Sequence, residues 1–226
     1  MPKQPVKQLL GEVEHRLAAL ARNIPEAERE RLRTYHGSNV PHLGLAVPVQ
    51  REALRRGYSF SGLPFEDQLP IWDAVWRAAQ YHEVKTQALY YCASRRKPDE
   101  LRQLWPVVQG WIETVDCWDT SDELSSVYAR ILEVDVLAGQ VYAILQSWNK
   151  SPNPWKRRQS ILTGCGKNQS WGAICRIMTR GSPYSCRDPG PRGDLFRRFA
   201  GFSRLWPDSG RGYAFAGTSF VSRTRL

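Results

Sequence analysis

The sequence predicts an all-α fold: a helical-repeat solenoid of stacked antiparallel helix pairs, followed by an irregular C-terminal tail. Three observations carry that prediction. Apolar residues recur at the three-and-four spacing of a helix face from residue 5 to about 163. No segment of strict alternation competes with them, and breaks bearing Pro or Gly cut the pattern into helix-sized pieces.

Leu9, Leu10, Val13, Leu17 and Leu20 form one apolar stripe, with Glu and Arg opposite. A second, short helix is expected over residues 25–32. Pro48 suits the first turn of a third, running on through Val49 to Arg56, because an N–H at that position has no helical partner to lose. Trp72, Val75, Trp76 and Ala79 continue the spacing, as do Val84, Ala88, Leu89 and Cys92. Pro98 opens a further helix with Leu101, Leu104, Trp105 and Val108 inward, and segments 124–132 and 136–148 follow. Trp72, Trp76 and Trp105 fall on these stripes and are expected in the core. Short helices of this kind bury their apolar faces by stacking on their neighbours, which is the pattern of HEAT-like repeats of about 40 residues.

Composition divides the 226 residues into a helical domain, 1–163, and a tail, 164–226. The tail holds ten of the 17 Gly and three of the five Cys, with ten Arg and one Lys against three Asp and no Glu. Most of the net charge of +10 therefore lies in the tail, and the helical part is nearly neutral. Global charge says little about what the helical domain binds. A disordered tail normally lacks large apolar side chains, yet this one carries Trp171, Trp206, Phe196, Phe199, Phe202, Phe215 and Phe220. A basic disordered tail, a small separate domain and translation out of frame all stay open. The excess of Arg, Gly, Pro and Ser with stray Cys and Trp favours the last.

No apolar run approaches the roughly 18 residues of a membrane span, and the N-terminal stretch lacks a signal-peptide core. Five cysteines without a Cys-x-x-Cys pair fit neither a disulfide framework nor a zinc site. The expectation is a reduced, cytoplasmic, monomeric protein without a cofactor.

The chemistry concentrates in two segments. In Val115-Asp-Cys-Trp-Asp-Thr-Ser-Asp122, Trp118 and Asp122 are four apart, so a helix across both places ring and carboxylate on one face. Asn153-Pro-Trp-Lys-Arg-Arg158 adds three consecutive cations. An aromatic wall, a carboxylate and cations suit a nucleotide. Blander roles fit the same residues: Trp118 as core, Asp122 as the N-cap of a following helix, and Lys156, Arg157 and Arg158 as a solvated face. Tyr35, near a Gly and a Pro, either contacts a DNA backbone or fixes a turn. His15, His36, His42 and His82 are scattered along the chain and no acidic cluster has ligand spacing, so no metal site is expected.

Taken in order, Tyr35-His-Gly-Ser-Asn-Val-Pro-His-Leu-Gly-Leu-Ala-Val-Pro48, the tryptophan-bearing helices at 72–92, Cys117-Trp-Asp-Thr-Ser-Asp122 and Asn153-Pro-Trp-Lys-Arg-Arg158 resemble the AlkD-type DNA alkylation repair proteins. The resemblance covers residues 25–163. It implies a HEAT-like, monofunctional DNA N-glycosylase that releases cationic alkylated purines from duplex DNA without metal or cofactor. It implies further that Trp118 packs against the deoxyribose of the lesion and Asp122 stands beside the anomeric carbon. Arg158 would fix the adjacent backbone, with Tyr35, Lys156 and Arg157 as further DNA contacts. The family's later Gly-Trp-x-Leu-Arg-Glu helix, which supplies a second aromatic wall, is missing from this sequence. Its place falls in the anomalous tail, so this copy is expected to be impaired. The competing class is a non-enzymatic HEAT-like scaffold that binds protein or DNA on a concave face, for which the carboxylate has no use. A metal-dependent nuclease fits least.

Overall fold

Leu9, Val13 and Leu17 repeat at four-residue spacing, and the computed structural model, which describes residues 6–163, buries them on one face of α1 (Val6–Leu20). α2 (Glu26–His36) starts after Pro25 and stops at Gly37, whose φ of 67° lies in the left-handed region that glycine enters without strain. It runs past the expected end at residue 32, because ion pairs Glu28–Arg31 and Glu30–Arg33 line it and nothing breaks it before Gly37. α3 (Val47–Arg55) carries Pro48 in its first turn, as expected. α4 (Phe65–Ala78) and α5 (His82–Ala93) are joined by a short loop and pack on each other. α6 (Pro98–Val108) leads through a 3₁₀ turn (Trp111–Thr114) into α7 (Trp118–Ile131), and α8 (Asp135–Trp148) and α9 (Pro154–Leu162) follow.

α7 begins well before residue 124, where the apolar stripe resumes. Its first turns are polar yet buried, because their hydroxyls and carbonyls are bonded: Thr120 Oγ1 to the Cys117 carbonyl, and Ser121 to the side-chain amide of Gln159. α9 starts where Asn153 Oδ1 accepts the N–H groups of Trp155 (2.8 Å) and Lys156 (3.4 Å), with Pro154 at the first helical position.

α3, α5, α7 and α9 lie side by side in one row. α4 backs α5, α6 backs α7, α8 backs α9, and α1 packs on α3, α4 and α5. The described residues are thus all-α, a helical-repeat solenoid of stacked pairs with no strand among them. Trp72, Trp76 and Trp105 are at most 1% exposed, core as expected. Trp76 stacks on Trp111 at 4.7 Å and donates its indole N–H to Thr114 Oγ1. Among the described residues no helix is long and apolar enough to cross a membrane. The irregular tail expected at 164–226 lies outside the described residues.

Two carboxylates hold down the loop between α2 and α3. Glu83, at the start of α5 and 1% exposed, accepts the backbone N–H groups of Leu43 (2.7 Å), Gly44 (2.7 Å) and Leu45 (3.1 Å). The N–H of His82 donates to the Pro41 carbonyl at 2.9 Å. At the other end of the loop, Asp116 Oδ2 accepts Ser38 Oγ–H (2.7 Å) and the N–H of Asn39 (2.9 Å). Gly44 has φ 85°, and a Cβ there would stand 2.7 Å from Cγ2 of Ile24, so only glycine fits so close an approach.

Glu83→Ala strips three amides of their acceptor. At roughly 1–3 kcal/mol for each donor left unpaired, with the half-buried Gly44 amide at the low end, it should lower the unfolding free energy by at least about 3 kcal/mol. Urea denaturation measures this, and a loss below about 1 kcal/mol would mean that the loop is held by other contacts.

Candidate functional site

Trp118 opens α7 and Asp122 follows one turn later, so the helix covers both and their side chains share a face. Cys117 is the residue that precedes the helix, so Asp122 is not an N-cap. Its Oδ1 instead accepts two bonds from Arg158, Nε–H at 2.9 Å and Nη2–H at 2.7 Å. Among the described residues no donor is bonded to Oδ2. Burial raises the pKa of Asp122, the charge and hydrogen bonds of Arg158 pull it down, and the net shift is upward from its ordinary value. With 43% of its side chain exposed, the group remains open to solvent.

Trp118 is partly exposed and stands outside the hydrophobic core, which removes the core-packing reading. Its indole N–H donates to the Tyr35 carbonyl at 3.2 Å, and the Tyr35 ring meets it edge-on with centroids 5.5 Å apart. Tyr35 is 55% exposed. The fold therefore brings Tyr35 onto Trp118, and Arg158 onto Asp122.

The other two cations behave differently. Lys156 Nζ is 2.5 Å from Glu113 Oε1, and Arg157 Nη1–H donates to the carbonyls of Ser151 (2.6 Å) and Pro152 (2.9 Å). All three basic residues of the 156–158 run are partly buried and internally partnered, so they form neither a solvated face nor a free cationic cluster. A second cross-helix ion pair, Arg51–Glu123 at 3.3 Å, joins α3 to α7, and the Arg51 guanidinium lies 5.1 Å over the Tyr90 ring.

Three histidines that are far apart in sequence converge beneath Trp118, contrary to the scattered picture drawn from the chain. The His36 ring meets Trp118 edge-on at 5.3 Å, and its Nδ1 is 2.8 Å from His42 Nε2. His42 stacks flat on His82, centroids 4.2 Å apart. His42 Nδ1 lies 3.0 Å from the Val40 carbonyl, His82 Nε2 3.0 Å from Asp119 Oδ2, and His82 Nδ1 4.0 Å from Cys117 Sγ. The loop clamped by Glu83 and Asp116 makes this convergence. The signal available in sequence was slight: His36 and His82 each follow a tyrosine at a helix boundary, and His42 lies in the Gly- and Pro-bearing loop between.

Electrostatically the cluster is divided. Burial opposes charge on His82, and the hydrogen bonds of Asp119 and Cys117 overcome it, holding its pKa up at about 10. Burial and the charge of His82 push His42 down to about 4, and burial lowers His36 as well. Burial raises Asp119, but its bond to His82 brings the carboxyl below its ordinary value. A partly exposed aromatic ring with a fixed carboxylate one turn away can hold a planar or cationic group and stabilise positive charge beside it.

The family model described as DNA alkylation repair enzyme matches residues 16–170, a span that takes in Tyr35, Trp118, Asp122, Arg158 and the three histidines. No curated protein and no solved structure matches the chain.

The histidines dictate a pH profile with two limbs. His82, raised from 6.5 to about 10, contributes stability that is complete below pH 6.5 and lost as pH climbs towards 10. His42, lowered from 6.5 to about 4, acts in the opposite sense: its contribution is complete above pH 6.5 and lost as pH falls towards 4. The cluster should therefore stabilise most near pH 6.5. In thermal unfolding across this range, His82→Gln should flatten the alkaline limb and His42→Gln the acid one. Profiles that match the parent in both variants would contradict this assignment.

Proposed function

The chain belongs to the DNA alkylation repair enzyme family, and on that premise we propose that it is a DNA N-glycosylase that releases cationic alkylated purines from duplex DNA. The observation that carries this reading is the pairing on α7. Trp118 presents a partly exposed ring, and Asp122, one turn on, has Oδ1 fixed by Arg158 while, among the described residues, no donor is bonded to Oδ2.

A purine alkylated on a ring nitrogen is already cationic, so it leaves neutral and needs no general acid. The sugar then passes through an oxocarbenium-like state, as in glycoside hydrolysis. A carboxylate held beside that developing charge stabilises it more than it stabilises the ground state. Asp122 Oδ2 serves this purpose and also orients or deprotonates the attacking water. The rings of Trp118 and Tyr35 add cation–π stabilisation. Arg158 fixes the carboxylate and favours its ionised form against the effect of burial. Tyr35 lies at the exposed edge, suited to contact the DNA backbone, and Arg157 and Lys156 serve as phosphate contacts once Lys156 exchanges Glu113 for a phosphate oxygen.

One observation favours a non-catalytic scaffold instead. Lys156, Arg157 and Arg158 are all engaged within the fold, which leaves few cations ready for a phosphate backbone.

Asp122→Asn keeps the size of the side chain and an acceptor for Arg158 but removes the charge. Release of alkylated purine from duplex DNA should fall by roughly 10²- to 10³-fold, while folding and duplex binding change little. Excision at the parental rate by Asp122→Asn would remove the carboxylate from the chemistry. A wild-type chain that releases no base from damaged duplex above the uncatalysed rate would contradict the glycosylase reading of this chain and favour the scaffold.

A further inference from the structure

We propose that His36, His42 and His82 form a binding site for a single divalent transition-metal ion of the zinc class. One ring nitrogen from each lies within 4.8 Å of the others. The three come from separate segments: the last residue of α2, the loop after it, and the first residue of α5.

A zinc ion bound by imidazoles at about 2.0–2.1 Å in tetrahedral geometry needs nitrogens about 3.3 Å apart. His36 Nδ1 and His42 Nε2 stand 2.8 Å apart, and one nitrogen of each of the three rings lies within 4.8 Å of the others, distances that bracket that value. Ring rotations close the difference. Coordination replaces the bond between His36 and His42 and tilts His42 and His82 out of their parallel stack.

The surroundings of two of the rings suit this use. The Val40 carbonyl engages Nδ1 of His42, which leaves Nε2 for a ligand. The Asp119 carboxylate engages Nε2 of His82, and Nδ1 meets only the Cys117 thiol at 4.0 Å, so the ion binds there by displacing the Nδ1 proton. A carbonyl or carboxylate on the far nitrogen is the usual device that fixes ring orientation and tautomer in a metal-binding histidine. A donor set of three imidazoles selects borderline ions such as Zn²⁺ or Co²⁺ over the oxygen-seeking Mg²⁺ and Ca²⁺. Because His36 also abuts Trp118, the ion would tie α2, the loop and α5 together directly beneath the aromatic wall. Its role is that of a clip, independent of whether the neighbouring carboxylate does glycosylase chemistry.

The test uses the full chain, stripped with a chelator, desalted, and titrated with Zn²⁺ by calorimetry and with Co²⁺ by visible absorption. One equivalent should bind, and the Co²⁺ spectrum should show nitrogen ligation without a near-ultraviolet thiolate band. His36→Asn, at the partly exposed position and so the variant best able to fold, should weaken binding by at least about tenfold. His42→Asn should do the same, with circular dichroism confirming its helix content. If His42→Asn does not fold, His36→Asn decides alone. No binding by the wild-type chain, undiminished binding in His36→Asn, or a thiolate band marking a cysteine site would each overturn the proposal.

Discussion

Three backbone N–H groups, from Leu43, Gly44 and Leu45, converge on the buried carboxylate of Glu83, and that contact decides where the loop between α2 and α3 lies. A carboxylate at 1% exposure is costly to desolvate. Charge-assisted bonds to three amides, together with the positive end of α5, offset the cost. Gly44 makes the approach feasible, because any side chain there would run into Ile24. With the loop seated, His42 comes to rest flat on His82, and the C-terminal turn of α2 delivers Tyr35 and His36 to the indole of Trp118. Asp116 repeats the device at the other end of the loop through Ser38 and Asn39.

The first two turns of α7 face two ways. Asp119 points inward to His82, and Asp122 points outward to Arg158 on α9. Trp118 stands between the clamped loop and the open face. One short polar stretch thus joins a buried histidine network to an exposed aromatic–carboxylate pair, and the wall on which any ligand would rest is only as rigid as the loop behind it. This arrangement also explains why the stretch is so poor in apolar residues: its buried positions, Thr120 and Ser121, are satisfied by hydrogen bonds, Ser121 through Gln159 of α9.

The helices and their core were readable because burial imposes a 3.6-residue period, and Trp72, Trp76 and Trp105 obey it. The start of α7 was not readable, since a polar buried turn carries no apolar period and Asp122 followed by Glu123 and Leu124 looks like a helix start. Trp118 and Asp122 were legible as neighbours from spacing alone. The contact of Tyr35 with Trp118 spans 83 residues and depends on where the loop is pinned, which no local pattern records. The histidine cluster was hidden for the same reason. Lys156 and Arg158 looked like free anchors because their partners, Glu113 and Asp122, lie more than thirty residues upstream.

Amide hydrogen exchange at Leu43, Gly44 and Leu45 tests the clamp most directly. Bonded to Glu83 at 2.7–3.1 Å, these loop amides should exchange about as slowly as those in the centre of α5, opening only with the helix itself. Exchange at the rate of an open surface loop, with the α5 amides still protected, would contradict the claim that Glu83 seats the loop and assembles the site.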